Sequence, residues 1–520
     1  MILDQNKFKN VICTVSVVGM LSFLAALAIP AIRIFIISLA EQYLVHRSIN
    51  HPLWEGRILT FFFWSLVACV VLFFLNKSEN TLTGELNKWD YIIFACLTLF
   101  CYFASNQGDI FSTVGASKQI LNGHLFDFYS FGLNYMPSTY LLFAVWGLPL
   151  KILGLINGDI TPSLPYGELM WYKAYTTLFY AGSALLIYKI GKCIGFDNKK
   201  SKLAAFIFLS CPIGFFSQFI FGQYDIFTVF FLLLGIYYYF KNNMLKFSLF
   251  FGAAITFKYQ ALLFFIVLLL LKEKSIKKIV KYCALAAILF FLEMVLFIRN
   301  EGYVNGVFGF TATAYVNLFQ LSVGPFSIQV VPFLFIFICA FAYFKKTTNY
   351  RSLVSWALFL CNAVVFILFG LSVFHPQWLL IAVPFLTLST CINKNYKTFL
   401  LLDILMMIIF CIFSVNVFPE NVDESMFGHG FFKFLGFFDK EILIHIKDIY
   451  VYKDISILYT ILSGILFINV IFKAPRFCLQ EIESSITDCT LELRARFIAG
   501  TSFFIIPALI CVFAALNSSP

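Results

Sequence analysis

Long apolar runs, separated by short loops that hold most of the lysines, constrain this chain more than any other feature. A run of about 20 residues matches the hydrocarbon core of a bilayer, where each backbone amide must be satisfied within its own helix or a closed barrel. Such runs fall near 11–39, 58–75, 90–104, 139–156, 169–188, 203–221, 226–240, 247–271, 279–298, 329–344, 353–373, 377–392, 398–415, 455–473 and 497–515. Only 12% of the 520 residues are charged, against roughly 25% in soluble domains, so a soluble globular fold is excluded. The expectation is an all-α, polytopic membrane protein of about 13 spans plus partial or re-entrant segments. The first run follows Lys7 and Lys9 and is too long for a cleavable leader, so it reads as a retained anchor.

The formal net charge is +10. It gathers in loops at Lys189, Lys192, Lys199, Lys200 and Lys202, at Lys241 and Lys246, at Lys272 to Lys281, at Lys345, Lys346 and Arg351, at Lys394 and Lys397, and at Lys473 and Arg476. Basic loops of this kind orient a membrane protein with the lysines inside, and nucleic acid is not an expected partner. Segment 247–271 lies between two such clusters, so it should enter and return, with Thr256 to Gln260 deepest; a single crossing is the alternative. Segment 139–156, interrupted by Pro149 and Lys151, does not fit a full crossing: either it is a partial or interfacial helix, or one of the earlier runs is not a span. Most of the 14 cysteines lie inside apolar runs as small hydrophobes. Neither a P-loop nor GxGxxG occurs, which argues against an ATP-driven pump. No DxD or paired His/Glu cluster asks for a metal, and no cofactor is implied.

With this orientation the outer face receives the stretches 105–138, 222–225, 299–328 and 374–378, and a long mixed-charge loop, 416–454. Asp109 closes an apolar run and opens the first of these. A carboxylate half out of water beside hydrocarbon has raised proton affinity, as a general base needs; the alternative is a cap for the helix that Ser112 to Leu121 would form. In Gly222-Gln223-Tyr224-Asp225 a glycine permits a sharp reversal, while Gln223, Tyr224 and Asp225 bring together the donors and acceptors that sugar hydroxyls require; an ordinary solvated turn is the other reading. Lys258, followed by Gln260, is costly at membrane depth unless paired, either with a lipid phosphate or in a structural salt bridge. His375, Gln377 and Trp378 form a further turn, where the histidine can hold a phosphate oxygen as a cation or a hydrogen-bond donor, and the tryptophan can stack on sugar or anchor at the interface. Arg299 offers another cation at the same face. Tyr135 precedes Met136-Pro137, a proline at a helix start.

Taken in order, these motifs resemble the GT-C superfamily of polytopic glycosyltransferases. Tyr135-Met136-Pro137 is similar to the Tyr-Pro-Pro helix start of that superfamily, and Gly222-Gln223-Tyr224-Asp225 to its Gln-Tyr-Asn or Gln-Tyr-Asp turn. Ile255-Thr256-Phe257-Lys258-Tyr259-Gln260-Ala261-Leu262 resembles the Phe-Lys-Gln-x-Ala-Leu stretch of the dolichol-phosphate-glucose glucosyltransferases, and Phe374-His375-Pro376-Gln377-Trp378 a His-x-Gln-Tyr segment of GPI mannosyltransferase I. The Phe, Ile and Lys bias adds a likeness to bacterial serotype-converting glucosyltransferases of O antigen. The resemblance implies an inverting hexosyltransferase in a bacterial inner membrane, its site facing the periplasm. It would move glucose or mannose from a polyprenyl-phosphate carrier to a glycan or glycolipid acceptor such as O antigen. Asp109 and Asp225 would be catalytic, and Gln223, Tyr224, Lys258, Gln260, His375, Gln377, Trp378, Tyr135 and Arg299 would bind substrate. It also implies three parts: N-terminal spans 1–89, a catalytic module 90–300, and C-terminal spans 301–520 carrying loop 416–454. An O-antigen polymerase or a lipid-linked sugar flippase is the alternative. Loop 416–454 lacks arginine, against the first, and polar residues gather at one face rather than along a path, against the second.

Overall fold

A computed structural model describes residues 109–156, 164–309, 320–417 and 456–475, except 132, 223, 324, 325 and 373, together with scattered positions in 92–103 and 489–496. Nearly all of these belong to one compact unit, 106–417 with 454–486; a second unit takes 1–105, 418–453 and 487–520. The expected spans 11–39, 58–75 and 497–515 lie outside the described residues, as does loop 416–454 beyond Val417.

The main unit is built of helices α1 (Asp109–Leu121), α2 (Pro137–Ile152), α3 (Tyr166–Ile194), α4 (Asn198–Leu209), α5 (Asp225–Phe240), α6 (Met244–Phe257), α7 (Ala261–Lys272), α8 (Ile276–Phe297), α9 (Val330–Phe344), α10 (Tyr350–Gly370), α11 (Val383–Cys391), α12 (Tyr396–Val417) and α13 (Ser456–Phe472). Their ends follow local chemistry. Helix α2 opens on a proline, whose missing amide costs nothing at a first turn. Helix α3 stops at Gly195, which takes a left-handed φ of 109° and donates its amide to Gly191. The side chains of Asp197, Asn243 and Asn349 cap α4, α6 and α10 by accepting amides of Lys200, Lys246 and Ser352.

Helices α8 and α10 are each long and apolar enough to cross a membrane, and α4 with the segment up to Phe219 makes a third candidate, bent by 51°. Helices α5, α6, α7, α9 and α13 are apolar but shorter. Among the described residues, helices that are both long and apolar enough to cross are therefore fewer than the apolar runs. Run 203–221 breaks at Ser210 and Cys211, where Pro212 cannot donate to the helical ladder. A second departure from the all-helical expectation is an antiparallel hairpin, β1 (Gln320–Val323) with β2 (Phe326–Gln329), in which Gln320 pairs with Gln329 and Val323 with Phe326. Polar and apolar residues alternate there with period two, a strand signal that the surrounding membrane pattern obscures.

Segment 247–271 is broken by three residues, Lys258 to Gln260, with Lys258 extended at φ −145° and ψ 118°. Beyond the break the chain turns back. Phe247 of α6 stacks on Phe265 of α7 at 5.1 Å, and Lys272 at the end of α7 donates to the Tyr239 carbonyl at the end of α5, 2.5 Å away. Lys274 reaches the Ala342 carbonyl at 2.8 Å, and the Tyr350 hydroxyl donates to the carbonyls of Cys193 and Phe240 at 3.1 and 3.3 Å. The ends of α3, α5, α7 and α9 and the start of α10 thus meet among the lysine loops. Asp225 and Lys258 lie at the opposite end of α5, whose 16 residues span about 24 Å.

Between the two ends, aromatic rings fill the core. Phe227 of α5 touches Phe143, Tyr175, Phe179 and Phe257 at centroid distances of 5.5, 5.2, 4.6 and 5.6 Å. Edge-on and tilted rings of this kind add to the area they bury. Helices α6 and α8 meet where Gly252 leaves room for the backbone of Ala286: a Cβ at Gly252 would lie 2.6 Å from the Ala286 carbonyl oxygen. Two lysines counted as orientation charges are internal. Lys200 is buried with its ammonium 4.7 Å from the Phe196 ring centre. Lys473 is 3% exposed and donates to the Leu386 carbonyl, the Ser389 hydroxyl and the Thr390 hydroxyl at 3.3, 3.1 and 2.9 Å. Its loop position in the sequence hid a reach back to α11.

Candidate active site

Asp225 begins α5 with its carboxylate against the Lys258 ammonium, the two side chains being 6% and 11% exposed. Two features that read as separate in the sequence are one buried ion pair. Charges removed from water are costly unless each satisfies the other, so the pair is a committed element of this end of the molecule. The Lys258 ammonium also lies 5.4 Å from the Tyr224 ring centre and 5.1 Å from that of Trp378, close enough for both aromatic faces to stabilise the cation. The row continues at both ends: Tyr135 packs on Tyr224 at 4.4 Å, and His375 on Trp378 at 4.8 Å.

Local structure sets this row. Gly222 takes φ +63° at the end of a π-helical turn, Phe216–Phe221, a left-handed geometry glycine adopts freely. A Cβ there would lie 3.7 Å from Ile110 of α1 and 4.0 Å from Lys173 of α3. The helix that starts at Asp109 therefore begins beside the turn; the Asp109 carboxylate itself, and all of Gln223, lie outside the description. Helix α1 is fixed to α3 by a buried pair between Lys118 and Glu168, 2.8 Å apart. Helix α2 runs beside α1, with Lys151 donating to Asn122 at 2.6 Å, and packs on the first turns of α3 through reciprocal indole-to-carbonyl bonds of Trp146 and Trp171 at 2.8 and 2.9 Å.

On the other side, the 3-10 turn Pro376–Ala382 follows His375, and its Gln377 carbonyl accepts the Ser217 hydroxyl at 3.2 Å. Gln218 is fully buried and donates to Thr176 and Thr177 at 2.8 and 3.2 Å. The Oε1 atoms of Gln218, Gln260 and Gln377 and the Oδ2 of Asp225 are buried acceptors with no hydrogen-bond partner among the described residues. Burial, and then the nearby Lys258 ammonium, push the His375 imidazole down to about 4. Of the two roles read from the sequence, a neutral ring fills that of donor rather than cation.

Tyr135, Tyr224, Asp225, Lys258, His375 and Trp378 are thus brought together, with Gln260 and Gln377 on the adjoining segments. Arg299 lies exposed beyond the end of α8, outside this row. Ser217, Gln218 and Lys173 escaped the sequence reading. Lys173, buried in the run 169–188, was detectable as a charge within an apolar segment.

The described residues form a mostly helical unit in which two helices, or three counting the bent pair, are long and apolar enough to cross a membrane, with a buried cation–aromatic row at the end of α5 away from the lysine loops. The model of Glycosyltransferase family 87 matches residues 135–324. This supports a membrane glycosyltransferase of the GT-C kind, one that takes a sugar donor and a glycan acceptor. The matched stretch includes Tyr135, the Gly222 turn, Asp225 and Lys258, and leaves Asp109 and His375 to either side. No curated protein and no solved structure matches the chain.

Proposed function

We propose that the protein transfers a hexose, of the glucose or mannose class, from a polyprenyl-phosphate carrier to a glycan or glycolipid acceptor such as O antigen, with inversion, on the membrane face opposite its lysine loops. That face would be periplasmic if the membrane is a bacterial inner membrane. The observation that carries the reading is the Lys258 ammonium held by Asp225 between Tyr224 and Trp378. A fixed cation at a dry membrane boundary suits the charge that appears on a departing lipid phosphate.

In this reading an acceptor hydroxyl attacks the anomeric carbon, its proton passes to Asp109, and the bond from that carbon to the phosphate oxygen breaks. Polyprenyl phosphate leaves with the electron pair. Lys258 faces its charge, and His375 donates to a phosphate oxygen. Asp225, which the resemblance implies is catalytic, serves in this reading by holding Lys258. Gln223, Gln260 and Gln377 offer side-chain amides to sugar hydroxyls, and the Tyr135 and Trp378 rings offer apolar faces.

Purified protein mixed with radiolabelled polyprenyl-phosphate hexose and acceptor glycan separates this function from its rivals. A transferase consumes the monosaccharide donor and labels the acceptor. A polymerase needs a lipid-linked oligosaccharide, and a flippase leaves both components unchanged.

A further inference from the structure

Helix α8 has 22 residues, faces outward over nearly all its surface, and carries a single carboxylate, Glu293. An acid in such a segment is expensive unless it is engaged. The buried positions of α8 are Ala286, Glu293 and Phe297, a stripe with helical spacings of seven and four. Ala286 meets Gly252, and Phe297 joins a cluster with Phe128, Tyr129 and Tyr303. Between them, Glu293 Oε1 accepts the Ser138 amide at 3.1 Å and the Ser138 hydroxyl. Those are first-turn donors of α2, whose own cap residue, Met136, contributes no side-chain bond. An acceptor 155 residues away therefore does the work of a local N-cap.

What this cap steadies is a wall of the site. Tyr135, three residues before Ser138, is held from two further sides: its carbonyl accepts the Tyr129 hydroxyl at 2.6 Å, and its amide donates to the Tyr140 hydroxyl at 3.1 Å. Its ring lies on Tyr224, next to Asp225.

We propose that Glu293 is a positioning residue for the transfer reaction: by capping α2 it holds Tyr135 against Tyr224 and so fixes the aromatic side of the Lys258 site. The inference rests on the proposed function for its kinetic consequence, and on the hydrogen bonds alone for its structural one.

A double-mutant cycle with Tyr135 tests it. Glu293→Gln keeps an oxygen for Ser138, and turnover should stay within about threefold of wild type, whereas Glu293→Leu should lower kcat about tenfold or more. In a Tyr135→Ala background Glu293→Leu should add little, because both act through one ring. Additive losses would show that Glu293 acts elsewhere and overturn the proposal. Amide exchange over residues 135–141, read on the substrate-free protein, should rise in Glu293→Leu and not in Glu293→Gln; unchanged exchange in both would overturn it as well. Where Glu293→Leu fails to fold, Glu293→Met, which also lacks an acceptor for the Ser138 amide, takes its place in the cycle and the exchange measurement. If wild-type protein turns over no polyprenyl-phosphate hexose, the proposed function fails while the exchange result still decides the cap.

Discussion

Asp225 and Lys258 form a buried ion pair that joins the first residue of α5 to the break between α6 and α7. The pair ties the Gly222 turn to the point where the chain reverses, so the geometry of one depends on the other. It also explains how a lysine is kept at that depth: a carboxylate pairs with its ammonium, and the ring centres of Tyr224 and Trp378 lie 5.4 and 5.1 Å from it.

Breaking this pair from either side leaves a buried charge alone. Asp225→Asn and Lys258→Met should each destabilise the protein by about 3 kcal/mol or more, and each should lower transfer about a hundredfold or more. Asp225→Leu combined with Lys258→Met should regain most of the stability and none of the activity. Thermal unfolding in detergent beside turnover checks this; wild-type turnover in Asp225→Asn would remove that residue from the site.

His375 gives a pH test with a fixed sign. Its folded value of about 4 lies below the ordinary 6.5, so as pH falls from 6.5 toward 4 the unfolded chain takes up a proton that the folded chain refuses. Wild type should therefore lose stability over that window relative to His375→Gln. The acidic limb of the pH–rate profile should not originate in this ring. An inflection near 6.5 that disappears on His375→Gln would show that the histidine works as a cation.

Two glycines should respond differently to the same replacement. Gly222 needs a left-handed backbone and has ordinary room for a Cβ, so Gly222→Asn should be mild, since asparagine tolerates that region. Gly252 needs space, because an added Cβ meets backbone of α8 rather than a movable side chain. Both Gly252→Ala and Gly252→Asn should cost about 1 to 3 kcal/mol or more. Equal unfolding midpoints for Gly222→Asn and Gly252→Asn would contradict the close approach of α6 and α8.

The sequence carries this much because in a membrane a charge must be accounted for. Lys258 stood out for that reason, and the basic clusters around 247–271 implied a chain that turns back where Lys258 to Gln260 now break it. Tyr135, Tyr224, His375 and Trp378 were legible as aromatic and polar residues in turns between apolar runs. Their convergence was not, since partners such as Asp225 and Trp378 are fixed by packing between distant segments. Lys473 misled for the converse reason: a long side chain at a helix end can reach inward as readily as toward water. Glu293 was visible as a lone acid in 279–298, but its partner Ser138 is a small residue with no signal of its own. The hairpin 320–329 was masked by the apolar helix that follows it.

The most direct test of the account is transfer of label from polyprenyl-phosphate hexose to acceptor glycan by purified wild-type and Asp109→Asn protein of equal thermal stability. Asp109 heads the helix that starts beside Gly222 and is assigned the proton of the attacking hydroxyl. Wild type should label the acceptor, and Asp109→Asn should do so more slowly by about a hundredfold or more. Wild-type rates in Asp109→Asn, or no labelling by either protein with any polyprenyl-phosphate hexose, would contradict the account.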